Sequence, residues 1–321
     1  MGSHTEAARG RLWTATAALA TAATVAATVT ACGGDAPIER PMSSVVTTTT
    51  RIASADIIGL DRDPDAACAA PTHSTAAPAR IIVADPDLLD ALCALGLQER
   101  VVAVAGASPS YLGSKLAAVP QTTGPARPTD LVLGTAGSRA WNTRLGHATV
   151  VASPTADWRV SLTAVADAVH LPAQGRAVLT SYDQSVTSTA TSIDAAHNTV
   201  SLVRFDADSK AYAEGTAPLC AHVLADLGVL RPAAQNTPTP VRLAGDDFSA
   251  ADGDLIYASY EGTAGQAYGA AVMESKPWLD LRAVSAKRQL LVDDSVWYSA
   301  GGPIAAGDVL HDVSESIRSS S

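Results

Sequence analysis

Short apolar runs alternate along the chain with segments in which apolar residues recur every three or four positions. Ile81-Ile82-Val83 and Val101-Val102-Ala103-Val104 are such runs, the pattern of strands buried on both faces. Between them, Asp85-Pro86-Asp87 reads as a helix start: an N-cap aspartate, proline at the first helical position and an acid in the first turn. Leu88, Leu92 and Leu95 follow at helical spacing, and Gly96 supplies a stop. Strand, helix and strand within about 25 residues form a βαβ unit, hence a parallel sheet.

The alternation continues. Leu131-Val132-Leu133 and Val150-Val151 read as strands, and Leu162, Val165, Ala166 and Val169 mark a helix. From 174 to about 196 the pattern predicts a helix of about 20 residues, some 30 Å long at about 1.5 Å per residue. The sequence then starts again. Val200–Phe205 reads as a strand, Leu219–Leu227 as a helix closed by Gly228, and Leu255-Ile256-Tyr257 as a strand. Residues 264–275 read as a helix, Leu290-Leu291-Val292 as a strand and Pro303–Ile317 as a terminal helix. Thr129-Asp130-Leu131-Val132-Leu133 and Gly253-Asp254-Leu255-Ile256-Tyr257 echo each other. The fold class expected is α/β: two Rossmann-like lobes (79–173 and 199–321) joined by a single long backbone helix (174–198), with a ligand cleft between the lobes.

The first 78 residues read differently. Arg9 and Arg11 precede an uncharged stretch, Leu12–Ala31, with six threonines, and Val29-Thr30-Ala31-Cys32 closes it. A basic start, an apolar stretch and small residues at a cut site make a secretory signal over 1–31. The cysteine after the small residues resembles the lipobox of bacterial lipoproteins. That resemblance implies cleavage before Cys32, its acylation, and anchorage at the outer face of the cytoplasmic membrane. A permanent transmembrane helix is the competing reading, since about 20 residues suffice to span a bilayer. Residues 32–78, with the run Thr47–Thr50 and much Ala, Pro, Ser and Asp, read as a flexible tether.

The net charge is −10, with only 22 Lys plus Arg and no basic run, which argues against nucleic acid as a partner. Only four lysines occur (115, 210, 276 and 287), so nearly all positive charge is arginine. Arginine suits fixed contacts with anions, although a GC-rich genome produces the same bias. Beyond Cys32 the thiols are Cys68, Cys93 and Cys220. An exported protein meets an oxidising setting, and spacing leaves three pairings open.

The ordered stretches Arg80–Val83 with Leu88–Val104, Asp130–Leu133, Val200–Pro232 (with Leu224-Ala225-Asp226-Leu227-Gly228), Asp252–Tyr257 and Pro277–Val284 resemble the class III, helical-backbone periplasmic binding proteins of ABC importers. These are receptors for iron siderophores, haem and corrinoids. Within that family the chain is most similar to actinobacterial ferric-citrate-receptor-like lipoproteins. The resemblance implies a disulfide between Cys68 and Cys93, with Cys220 free and buried. It also implies an ABC importer permease as partner, no resident cofactor, and a ferric siderophore, haem or corrinoid as ligand. The stretch Pro120–Asp130 is short where such proteins carry a helix, so their N-lobe rim is trimmed here.

Ligands of open α/β sheets sit beyond the carboxyl ends of parallel strands. That rule selects Tyr111, Arg139 and Trp158 in the first lobe, and Arg204, Tyr212, Tyr260, Trp297 and Tyr298 in the second. Aromatics number only 14 in the chain, so their clustering after strands favours a ligand mouth. Arg204 lies between Val203 and Phe205 in an apolar strand, where an unpaired charge is costly. Either a bound anion or a structural partner (Asp206, Asp208 or another acid) satisfies it. Trp158 and Trp297 can stack on a flat ligand or simply pack. Any of the tyrosines can ligate haem iron or serve in packing. Glu99 and Glu274 are candidates for meeting basic permease patches. The histidines are scattered, against a bare-metal site, with His170 and His197 read as helix-end residues. Gly-x-Ser-x-Gly, His-Glu-x-x-His, phosphate-loop and Gly-x-Gly-x-x-Gly motifs do not occur. The function expected is capture of an iron siderophore for import, not catalysis. A haem or corrinoid binder, or an envelope scaffold that has lost transport, stands as the alternative.

Overall fold

The computed structural model describes residues 51–53, 55–155, 157–298 and 301–318. The signal segment, Cys32 and the tether up to residue 50 lie outside the described residues.

Residues 55–78 depart from the expected tether by packing along the folded body. β1 (Arg51–Ile52) and β2 (Ala55–Ile57) form an antiparallel hairpin, and β2 lies parallel to the last strand of the second lobe, with Asp56 opposite Leu290. Arg62 then reaches Asp312 of the terminal helix at 2.7 Å. The Asp65 carboxylate accepts from the Ser114 backbone N–H at 2.6 Å. Cys68 forms a disulfide with Cys93, and Thr72 N–H donates to the Gly96 carbonyl. Gly96 has φ +69°, and a side chain there would run into the Ala70 carbonyl. Apart from the β1–β2 hairpin these ties are long-range in sequence, so a composition rich in Ala and Pro does not announce them.

The first lobe contains β3 (Ile81–Val83), α1 (Leu89–Ala94), β4 (Val101–Val104), α2 (Gly113–Ala117), β5 (Leu131–Gly134), α3 (Arg139–Leu145) and β6 (Ala148–Val150). Its sheet has the order β4-β3-β5-β6 and is parallel throughout. The Asp85 side chain accepts from Asp87 N–H, and Pro86 opens a 3₁₀ turn that runs into α1. No helix occupies 119–130.

α4 (Trp158–Ala168) is capped by Asp157, which accepts from the N–H groups of Arg159 and Val160. α5 (Pro172–Ser192) is the expected connector, with 21 residues, about 31 Å of rise. Gly175 lets it approach α4: a Cβ there would lie 2.6 Å from that of Ala166.

The second lobe contains β7 (Val200–Phe205), β8 (Ala211–Ala213), α6 (Leu219–Leu227), β9 (Val241–Leu243), β10 (Leu255–Tyr260), α7 (Gly262–Met273), α8 (Lys276–Leu279), α9 (Arg282–Ser285), β11 (Gln289–Leu291), α10 (Asp294–Trp297) and α11 (Pro303–Arg318). Its sheet has the order β1-β2-β11-β10-β7-β8-β9. The central strands β2, β11, β10 and β7 run parallel, while β8 and β9 extend the sheet as antiparallel ribbons. The echoed aspartates do the same work in each lobe. Asp130 accepts from Arg80, just before β3, and Asp254 accepts from Thr199 N–H, just before β7.

One apolar cluster runs through both lobes, from Leu88 and Leu92 to Leu202, Tyr257, Val296 and Val313. A second covers the other face of the larger sheet, where Val203, Phe205, Ile256 and Ala258 meet Trp278. The fold class expected from the sequence, two α/β lobes on one long helix, is the fold observed. Among the described residues no helix is long and apolar enough to cross a membrane.

Candidate ligand cleft

β7, β10 and β11 lie side by side and parallel, so the residues that follow them share one edge of the second lobe. Arg204, the fifth residue of β7, points to the same face as Val200 and Leu202. Its guanidinium grips Asp294, the first residue of α10, with Nε and Nη2 donating to the two carboxylate oxygens at 2.8 Å each. Ser259, near the end of β10, donates to the same carboxylate at 2.8 Å. Glu261, just beyond β10, stands 3.5 Å from the guanidinium. The Tyr298 ring lies 5.3 Å from the guanidinium carbon, a cation–π distance. Tyr212 faces Arg204 across the β7–β8 ladder.

Further in, Arg231 donates to the Glu214 carbonyl at 2.9 Å. Burial pushes the Glu214 carboxyl up to about 7 and the Cys220 thiol up to about 12. A charged form loses hydration there that few partners replace.

The strands of the first lobe end in hydroxyl-rich loops. The Asp85 carboxylate accepts from the Thr135 hydroxyl. Ser138 Oγ accepts from Thr135 N–H, and Asn142 donates to the Thr135 carbonyl, which fixes the loop after β5. Arg139 opens α3 with an exposed side chain. Ser108 donates to the Leu116 carbonyl, and Ser153 and Thr155 share a hydrogen bond at 2.8 Å. Burial, with the nearby Asp85 charge, raises the Asp87 pKa. The two lobes touch where Ser110 Oγ comes within 3.4 Å of Ser295 Oγ.

The structure divides the eight residues singled out from the sequence. Arg139, Arg204 and Tyr212 stand at the strand-end edges, while Tyr298 lays its ring beside Arg204 and buries its hydroxyl near Cys220. Four other side chains turn inward. Tyr111 is 6% exposed and donates to Asp90 at 3.0 Å. Trp158 is 2% exposed, edge-on to Tyr182 at 5.0 Å. Tyr260 packs on Phe205 and donates to the Met273 sulfur. Trp297 is fully buried and donates to Asp312 at 2.9 Å. A large ring near a strand end gains more by entering the core than by waiting for a ligand. Asp294 and Ser259, absent from the sequence-based set, complete the Arg204 cluster. Asp294 carries a faint signal, since it follows the apolar run Leu290-Leu291-Val292 as Glu261 follows β10.

Glu99 precedes β4 and pairs with Lys115 at 2.6 Å, and Glu274 ends α7. Both lie at the edge opposite the strand carboxyl ends. His197 pairs with Asp194, and His170 follows α4 with φ +60°. Among the described residues, no group of three His, Cys, Asp or Glu side chains is placed to hold a metal. A hollow of about 530 Å³ opens where residues 59–67 cross the lobe junction, lined by Arg62, Ser110, Tyr111, Asp293 and Asp308.

No model of a known protein family matches the chain, and no curated protein sequence matches it either. Solved structures do. SirA of Staphylococcus aureus, complexed with staphyloferrin B, aligns with a TM-score of 0.61 at 18% identity, over 75% of this chain and 93% of SirA. An FhuD fold-family periplasmic binding protein of a Fep/Fec-like ferrichrome ABC transporter from Bacillus subtilis aligns at 0.60 and 18% identity, over 78% and 96%. The chain has the FhuD fold. FeuA from Bacillus subtilis, a triscatecholate siderophore binding protein complexed with ferri-bacillibactin, aligns at 0.59 and 14% identity, over 77% and 94%. In the FhuD fold the two lobes are joined by a long helix, here α5.

Proposed function

We propose that this protein captures a ferric siderophore between its lobes and delivers it to an ABC importer. The observation that carries the reading is the FhuD fold, in which the loop after β4 meets the segment after β11 where Ser110 approaches Ser295. Proteins crystallised with this fold and an iron chelate, SirA and FeuA, support it. Arg204 with Tyr298 and Tyr212 forms the wall of the second lobe, and Arg139 stands on the first. Lobe motion about α5 and α11 brings the walls onto the guest. A lipid anchor at Cys32, on the outer face of the membrane, belongs to the same proposal. Haem draws less support, because Tyr111 and Tyr260 are engaged by Asp90 and Met273.

Native mass spectrometry with a panel of ferric siderophores, haem and a corrinoid tests the proposal. One-to-one retention of at least one ferric siderophore is expected. Retention of none, or of haem or corrinoid alone, refutes it. Metabolic labelling with a tritiated fatty acid, lost in Cys32→Ala, tests the anchor.

A further inference from the structure

Among the described residues the chain passes between the lobes twice: once through α5, and once through the strap that leaves β2 at Ile57 and reaches the first lobe at Cys68. Both ends of the strap are fixed. On the second lobe, β2 pairs with β11, and Ile58 N–H donates to the Leu291 carbonyl at 3.0 Å. On the first, Cys68 is bonded to Cys93 of α1, and Arg100 donates to the carbonyls of Thr72, Ser74, Ala77 and Pro78 just beyond it. The span between these ends is not packed. No residue from Gly59 to Ala66 is buried, and the hollow of about 530 Å³ lies between this span, Tyr111 and the first turns of α11. Two polar ties hold it instead. Arg62 donates to Asp312 at 2.7 Å, and Asp312 also accepts from Trp297 Nε1 of α10. Asp65 Oδ1 accepts from the Ser114 N–H at 2.6 Å and from its hydroxyl at 2.8 Å, at the start of α2. The strap lies so close there that a Cβ on Gly113 would stand 2.6 Å from the Pro64 carbonyl oxygen.

Arg62 and Asp65 are three positions apart, and Pro64–Ala66 is wound in a 3₁₀ turn capped by Asp63. Such a turn rises about 2.0 Å per residue against about 3.5 Å for extended chain, so pulling this stretch straight yields about 5 Å. Beyond that, one of the two ties must break. Other polar ties cross between the lobes, Asp90 to Ile304 and Ala305 and Arg159 to Asp226, but they join helices gathered around the connector, where a hinge moves least. Asp65 instead holds Ser114, four residues from Ser110, where the strand-end loops of the two lobes meet. We propose that residues 59–65 are a latch across the lobe junction: the Arg62–Asp312 and Asp65–Ser114 ties hold the second lobe to the first before any guest arrives, and the lobes part on this side only when one tie opens. The latch acts whatever the guest is. Losing the Asp65 tie leaves a leash from Arg62 to Cys68, six residues in place of three. Losing the Arg62 tie leaves one from Ile58 to Asp65, seven residues long. Either change adds about 10 Å or more of reach.

Spin-label distances test the latch with no ligand present, so the result is independent of siderophore capture. The full chain, with Cys32→Ala to remove a reactive thiol, carries labels at Ala117→Cys on α2 and Thr263→Cys at the start of α7, both exposed positions. Cys220 is buried and stays unlabelled. Double electron–electron resonance then reads the separation of the lobes. With the strap intact, one narrow distance is expected. Asp65→Ala, at an exposed position that leaves no buried charge behind, should add a population longer by about 5 Å or more. Arg62→Ala should do the same. It also strands Asp312, which is 1% exposed, so circular dichroism checks its fold, and Asp65→Ala decides alone if it unfolds. A distribution as broad with the strap intact as in the variants overturns the latch. So does a narrow distance that Asp65→Ala leaves unchanged.

Discussion

The substitution Asp90→Asn removes one charge from the interior and keeps the shape of the side chain. Asp90 is fully buried on α1. Its carboxylate accepts from Ile304 N–H at 2.9 Å, from Ala305 N–H at 3.0 Å and from the Tyr111 hydroxyl at 3.0 Å. It therefore caps the first turn of α11 from the first lobe, where the positive end of the helix dipole favours an anion. Burial nevertheless dominates and lifts the carboxyl to about 6, with the three hydrogen bonds pulling it down and Asp308 pushing it up. The folded state thus binds this proton more tightly than the unfolded chain, whose carboxyl titrates near 3.8. Stability from this group is fully present below about pH 4 and is lost as pH rises through about 6. At 1.36 kcal/mol per pH unit the gap is worth about 3 kcal/mol. Asparagine stays neutral, so that slope should vanish, while its single carbonyl serves one of the two N–H groups at a cost of about 1–3 kcal/mol. Urea unfolding of both proteins between pH 4 and 7.5 reads the difference. Asp87 and Asp312 titrate in both proteins, whereas Asp308, also lifted to about 6 by burial, interacts with Asp90, so the difference reads the pair rather than Asp90 alone. Stability curves that stay parallel across this range would refute the reasoning.

Three further outcomes are expected. Removing the Cys68–Cys93 disulfide, with a sequence separation of 25, should cost about 3.5 kcal/mol from chain entropy, read as a lower urea midpoint; a loss below about 1 kcal/mol contradicts it. Cys220, buried and with its thiol pushed up to about 12, should not react with a dithiobenzoate reagent at pH 8 until the protein unfolds; prompt stoichiometric labelling of the native protein contradicts this. Gly265→Ala should destabilise by about 2 kcal/mol or more, since its Cβ would lie 2.5 Å from the Phe205 carbonyl oxygen; an unchanged melting temperature counts against the packing of α7 on β7.

The arrangement of the Arg204 cluster shows why part of the site was hidden. Alternation along β7 put a charge in a buried strand, and that alone announced a partner. Asp294, the residue that satisfies it, lies 90 positions away, and no local pattern links the two. Tyr111 and Trp297 come shortly after strands, Trp158 opens α4 and Tyr260 ends β10, as ligand-facing rings would. Whether such a ring enters the core depends on Tyr182, Asp312, Asp90 and Phe205, which other segments bring to it.

The amino-acid sequence by itself determined the repeating strand and helix units, the long connector and the stop at Gly228, because periodicity, capping and glycine conformation act over a few residues. It also determined the two-lobed α/β class, since parallel strands need helical crossovers. Only the tertiary structure decided that residues 55–78 lie along both lobes, that β8 and β9 widen the second sheet, and that Arg204 belongs to Asp294. Edge pairing, burial and ion pairing are settled by what the rest of the chain brings alongside, and that proximity is a property of the packed molecule.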